Sequence, residues 1–287
     1  PSAHLSHRDL SCWLVAGSVD APLPAQTQRE FASALSPARL RRDVFDEPMV
    51  LHSRGNARAL LPGALSHGQR AMWFLAQLEP RNTAYNVPIG LRISSRFDIE
   101  LLRRTLTTLV ARHEMLRSVY PVSDGEPRRE LLPLEQALDF ARVDASALDD
   151  AALLRRAQCE LETSFDLATG PLFRARLLVR SDTDALLLLI VHHINVDGSS
   201  IMQIGLELAV AYEAYAQGSE PLLPPLEHTY ADFVRWQSEL LASAEGARLR
   251  SYWKQQLANA PNAIGWRGNR ARPAQRTERG GSIPLRI

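Results

Sequence analysis

The sequence predicts an α+β fold, with a mixed, largely antiparallel sheet flanked by helices. Three observations predict it. The run Leu186–Val191 is apolar throughout and is entered through the turn signal Ser181-Asp182-Thr183-Asp184, so it reads as a strand covered on both faces. Only that turn separates it from the strand-like run Leu172–Arg180, so the two should pair as an antiparallel hairpin. Elsewhere helices and strands mix without strict alternation, which argues against a doubly wound parallel sheet.

Residues 1–60 show no steady period and carry Pro22, Pro24 and Pro37. With two short helical patterns, near Gln26–Leu35 and Pro37–Phe45, they read as a linker or the tail of a preceding domain. Order begins near Leu65. Ser66 is placed to cap a helix over His67–Leu78, with Trp73, Phe74 and Leu78 on one side and Pro80 as its stop. Asn86–Ile93 reads as a strand. Asp98 then caps an amphipathic helix in which Leu102, Leu106, Leu109, Val110 and His113 recur at helical spacing. Leu116–Tyr120 and Glu130–Leu132 read as a hairpin about Asp124-Gly125.

A second helix is expected from Asp149 to Glu162, followed by Phe165-Asp166-Leu167 and Gly170-Pro171 before the paired strands. Beyond those strands the chain reverses at Asn195-Val196-Asp197-Gly198, where glycine permits a positive φ or a close backbone approach. Ser199 and Ser200 read as N-caps for a helix Ile201–Gln217, buried along Ile201, Ile204, Leu208, Ala211 and Tyr215. Gly218 and Pro221 end it. A Pro-rich loop, Pro221–Pro225, precedes a helical stretch Tyr230–Leu257 that breaks near Gly246, and the last thirty residues are rich in Gly, Arg and Pro.

Composition excludes several classes. The 287 residues are 45% hydrophobic and 23% charged, enough for a sizeable core in one large or two modest domains. With 33 basic against 32 acidic residues, no bulk field draws the chain to nucleic acid. Cys12 and Cys159 make no disulfide framework, and Cys159 is expected as a buried thiol. No apolar run approaches a membrane span and no signal sequence opens the chain, so no membrane partner and a cytoplasmic location are expected.

The chemistry concentrates at the end of the apolar strand. Side chains alternate along a strand, so His192 and His193 point to opposite faces: one is fixed in the interior, the other looks into open space. A histidine at a strand end, backed by a turn carboxylate, suits proton transfer or stabilisation of a tetrahedral intermediate. Neighbouring histidines diverge and Asp197 is the only hard ligand nearby, so a metal is not expected. No Gly-x-Ser-x-Gly elbow, nearby cysteine or phosphate-binding Gly loop is present, so direct acyl transfer between two bound substrates fits better than a covalent acyl-enzyme. Asp197 reads as structural, held by an arginine.

His192-His193-x-x-x-Asp197-Gly198 resembles the signature of condensation domains of nonribosomal peptide synthetases. Three further stretches match in order: Leu65-Ser66-His67-Gly68-Gln69-Arg70-Ala71-Met72-Trp73-Phe74-Leu75 with Tyr85-Asn86, then Arg112-His113-Glu114-Met115-Leu116-Arg117, then Tyr230-Ala231-Asp232-Phe233 with Trp236-Gln237. Departures from the family pattern are mild: Ser199 for Trp, Gly68 for Ala, Ser118 for Thr and Tyr120 for Phe.

The resemblance implies a chloramphenicol acetyltransferase-like fold of two lobes with a tunnel between them. Residues 61–235 would be the first lobe, and 236–287 a connecting helix and the start of a second, in a fragment of a longer synthetase. It implies amide formation between a donor acyl thioester and an acceptor amine. Each rides on the phosphopantetheine of a carrier protein, beside neighbours such as an adenylation domain, and the domain binds no cofactor itself. His193 would be catalytic and His192 and Asp197 structural. Gly198 would lie by the thioester, and Arg112 or Arg117 would partner Asp197. Epimerisation domains carry the same histidine signature, and a non-catalytic carrier-docking fragment is the reading from another class.

Overall fold

The computed structural model describes residues 63–261. The expectations for residues 1–60, including both short helices, and for the terminal stretch after residue 261 lie outside the described residues.

A four-stranded sheet organises the chain. Its strands are β1 (Asn86–Ile93), β6 (Asp139–Asp144), β7 (Phe173–Ser181) and β8 (Asp184–His192), in spatial order β1-β8-β7-β6. β1 and β7 run antiparallel to β8, and β6 runs parallel to β7, so the sheet is mixed. The predicted hairpin is the β7–β8 pair. The apolar run is central because it is apolar: every residue from Ala185 to His192 is buried.

Parity along β8 sets the layers. Ala185, Leu187, Leu189 and Val191 face a core built with α2 (Ile99–Arg112) and α4 (Gly198–Ala216). Leu186, Leu188 and Ile190 face the opposite core, under α3 (Asp150–Leu161). The result is helices, sheet, helix, with each buried leucine or isoleucine contributing about 1.5–3 kcal/mol. A third cluster of Leu65, Val119, Tyr120, Leu167, Leu172 and Ile194 closes the histidine end of the sheet beneath α1 (His67–Leu78).

Two caps fall where the sequence marks them: Ser66, in a capping box with Gln69 on α1, and Asp98 on α2; Asp149, expected as the first helical residue, is the cap of α3. The hairpin about Asp124-Gly125 is broken into two short ladders, β2 (Ser118–Val119) with β5 (Glu130–Leu131) and β3 (Val122–Ser123) with β4 (Glu126–Pro127). Both turn residues take positive φ, 54° and 78°, the pairing a two-residue hairpin turn requires. The last helical stretch is two helices, α5 (Tyr230–Ala242) and α6 (Ala244–Gln256), meeting at Ser243 rather than at Gly246. The expected division at residue 235 falls inside α5.

Three local expectations are corrected. Ser199 and Ser200 are not caps: Asp197 is the N-cap of α4, its carboxylate accepting from the Ser200 N–H. A carboxylate one turn ahead of a helix outcompetes a hydroxyl already inside the first turn. Cys159 is exposed, because Leu153 and Ala157 define the buried side of α3 and position 159 turns away from both. On α1, Phe74 and Leu78 are exposed, while Met72, Trp73 and Ala76 pack on the third cluster.

Candidate active site

The two histidines part at the end of the strand: β8 closes on His192, and His193 opens the turn beyond it. His192 completes the even-numbered face of β8, is 4% exposed, and packs against the edge of Phe165 with ring centroids 6.1 Å apart. Its Nδ1 accepts from the Ile194 N–H at 3.1 Å, so that nitrogen carries no proton. Burial, with His193 adding to it, pushes its pKa down to about 4. His192 is therefore a neutral, structural ring that ties off the turn after β8.

His193 is exposed and lines an open cavity of about 540 Å³. It is placed through the backbone: its N–H donates to the Tyr85 carbonyl at 2.8 Å, and its buried neighbours His192 and Ile194 anchor either side. The cavity lies where α2 ends and α4 begins, and Arg112, His113, Gln203 and Ile204 share its wall with His193.

A buried hydrogen-bond chain holds the turn in place. The Tyr120 hydroxyl donates to Asn195 Oδ1 at 2.6 Å and accepts from Gln69 Nε2 at 2.8 Å. Asn195 Nδ2 donates to the Ser118 carbonyl at 3.0 Å, and Gln69 Nε2 also reaches the Ile194 carbonyl at 3.3 Å. Burial pushes the Tyr120 phenol well above its ordinary range, so it remains a donor. Ser66 Oγ lies 2.9 Å from the Tyr230 hydroxyl, and Gln237 Oε1 accepts from the His67 N–H at 2.9 Å. The four sequence signatures thus meet in one place.

Asp197 sits at the cavity and accepts from the Ser200 N–H at 2.8 Å and Ser200 Oγ at 2.7 Å. Burial opposes its ionisation, but these bonds and nearby His193 hold the carboxyl below its usual range. The expected arginine partner is corrected: neither candidate pairs with it. Arg112 donates through Nε to Glu207 at 3.1 Å and through its terminal nitrogen to the Pro224 carbonyl. Arg117 turns to the Leu132 carbonyl and does not line the cavity. Helix N-cap geometry satisfies Asp197 locally, so no counter-charge is needed within the described residues. Gly198 opens α4 without a positive φ, and the place where a Cβ would stand is empty.

Glu207 escaped the sequence reading. It is 7% exposed, and Oε2 takes both Arg112 and His113, the latter at 2.6 Å, while Oε1 accepts from Gln203 Nε2 at 3.0 Å. Burial opposes its charge, but those hydrogen bonds and the Arg112 guanidinium hold it below the usual carboxylate range. The signal was available: Ile204, Glu207, Leu208 and Ala211 form an i, i+3, i+4, i+7 stripe, which places a carboxylate on the buried face. No cluster of three His, Cys, Asp or Glu among the described residues could hold a metal. No helix among them is long and apolar enough to cross a membrane.

The family model of the condensation domain matches residues 63–286. Phosphinothricin tripeptide synthetase PhsC of Streptomyces viridochromogenes is 39% identical over 223 residues, covering 76% of this chain and 20% of that protein. A dimodular nonribosomal peptide synthase of Bacillus subtilis is 37% identical over 228 residues, covering 78% of this chain and 10% of that protein. The chain therefore spans a small part of these relatives. The fold is that of the starter condensation domain of rhizomide synthetase RzmA, with a TM-score of 0.64 at 23% identity, over 71% of this chain and 49% of that one. The first condensation domain of the calcium-dependent antibiotic synthetase agrees, with a TM-score of 0.62 at 24% identity and the same two coverages. A match to the family model over residues 63–286 places this chain in the condensation-domain family.

Proposed function

We propose that this chain is the first lobe, with the connecting helices, of a peptide-synthetase condensation domain, and that its cavity is one wall of the tunnel in which an amide bond forms. The observation that carries the reading is His193: an exposed imidazole at the mouth of a fully covered strand, lining a cavity of about 540 Å³ beside a histidine that stays neutral. The partners are donor and acceptor carrier proteins, each bringing a substrate on phosphopantetheine, together with neighbouring domains such as adenylation. Phe74, Leu78, Trp253 and Leu257, all more than half exposed, supply apolar surface for a second lobe.

The acceptor amine attacks the donor thioester carbonyl, the C–N bond forms, and the thiol leaves on the donor arm. An α-amino group titrates near 7.7–8.0, so part of the acceptor is already a free amine near neutral pH. His193 need not be a strong base. It orients the amine and takes its proton as the tetrahedral intermediate forms. His192, Asp197 and Gly198 hold the turn that presents it, and Arg112 braces the adjoining wall.

The test is His193→Ala in the synthetase module that carries the domain, with both carriers loaded. Amide formation is expected to fall by about 10²–10⁴-fold, while carrier binding survives. Unchanged product formation would overturn the assignment.

A further inference from the structure

The wall opposite in sequence to the histidine motif carries a second imidazole with a fixed orientation. His113, the C-cap residue of α2, lines the same cavity as His193, and its Nε2 lies 2.6 Å from Glu207 Oε2. Glu207 is ionised and can only accept, so Nε2 must carry the proton and donate it. In the neutral ring this leaves Nδ1 bare, a hydrogen-bond acceptor without a partner among the described residues. Nδ1 is not fully buried, and the ring that carries it lines the cavity. A deeply buried carboxylate with three donors converging on it does more than satisfy charge: it fixes which nitrogen is left without a proton.

Resting on the function proposed above, we propose that His113 Nδ1 is a second acceptor in the cavity, for the N–H of the incoming amine, and that Glu207 is the positioning residue that sets its tautomer. His193 and His113 then engage one nucleophile from two elements, the end of β8 and the end of α2. Two acceptors fix an amine's lone pair more narrowly than one, which is the orientation that attack on a carbonyl demands. Arg112 contributes by sharing the Glu207 carboxylate and by tying the wall to the Pro224 carbonyl of the loop that brings Leu226 and His228 to the cavity.

Nitrogen-15 NMR of the imidazoles in the 287-residue chain at pH 8.5 tests this directly. Wild type is expected to show His113 as the Nε2–H tautomer with Nδ1 unprotonated, and Glu207→Gln is expected to bring the two tautomers to comparable populations. Added glycyl-pantetheine, the minimal form of an aminoacyl acceptor, is expected to shift the Nδ1 resonance of His113, with no such signal in His113→Asn. An Nδ1–H or doubly protonated ring in wild type overturns the proposal without any variant having to fold. A tautomer indifferent to Glu207→Gln removes Glu207 from the positioning role. If glycyl-pantetheine moves His193 but leaves His113 still, the second acceptor is wrong and the proposed function stands. If neither ring responds, both readings fail together.

Discussion

Acid should weaken this fold through one buried ring before its carboxylates begin to titrate. His192 holds an ordinary value of 6.5 when unfolded and about 4 when folded, because it is 4% exposed and lies beside His193. Below pH 6.5 the unfolded chain binds a proton that the folded ring refuses, so stability is full above 6.5 and drains as pH falls toward 4. At 1.36 kcal/mol per pH unit the whole effect is about 3 kcal/mol, and about 2 kcal/mol of it is lost by pH 5. Against a domain stability of about 5–15 kcal/mol, that is a large fraction.

Urea unfolding followed by tryptophan fluorescence at pH 8, 6.5 and 5 measures it. The control is His192→Asn, whose amide oxygen can accept the Ile194 N–H in place of Nδ1 but does not titrate. Asp166, Asp197 and Glu207, whose folded values are lowered from 3.8, 3.8 and 4.5, lose their contributions only below those values, outside this window. Wild type is expected to lose about 2 kcal/mol between pH 8 and pH 5 relative to the variant. Parallel curves for the two proteins would refute the buried placement of His192.

Two other predictions concern the turn itself. Tyr120→Phe removes one hydroxyl from between Gln69 and Asn195, leaving a buried amide oxygen unpaired, and is expected to cost about 1–3 kcal/mol in urea unfolding; an unchanged midpoint would mean the chain through Asn195 does not hold the turn. Asp197→Ala is expected to lose about 1 kcal/mol as α4 loses its cap, whereas Asp197→Asn, an equally good cap, keeps both stability and amide formation. Wild-type stability with lost turnover in Asp197→Asn would return that carboxylate to the chemistry.

Much of this was legible in the sequence because local rules and global packing agree. The apolar run of β8, Ser66 and Asp98 as caps, and Asp124-Gly125 as a tight turn are each read from a few residues, and each stands where it is expected. For the histidines, alternation indicates that one ring is interior and the other open, and the structure buries His192 and exposes His193. What escaped needed long-range contact. The expected arginine on Asp197 assumed that a carboxylate at a strand end must find a cation, but the first turn of α4 satisfies it first. The helical stripe places Glu207 on a buried face, but its partners Arg112 and His113 lie about ninety-five residues upstream, on an element whose position relative to α4 no local pattern reveals. Cys159 was misplaced because helical periodicity alone does not fix which side of α3 meets the sheet.

The tyrosine at position 120 joins these strands of argument. A phenylalanine ring at this position would fill the third cluster equally well. Here the added hydroxyl lies at the one point where Gln69 of α1, Ser118 and Tyr120 beside the second signature, and Asn195 of the histidine turn come within a single hydrogen-bonded chain. His193 itself makes no side-chain hydrogen bond among the described residues; only its backbone is fixed, through Tyr85 and through buried neighbours on both sides. Rigid backbone with an unclaimed imidazole is what a residue needs if its partner is to be a substrate rather than the protein. On the function proposed above, the polar chain beneath the turn acts on the chemistry without touching it, by holding the backbone of residues 192–195 in place while substrate binds.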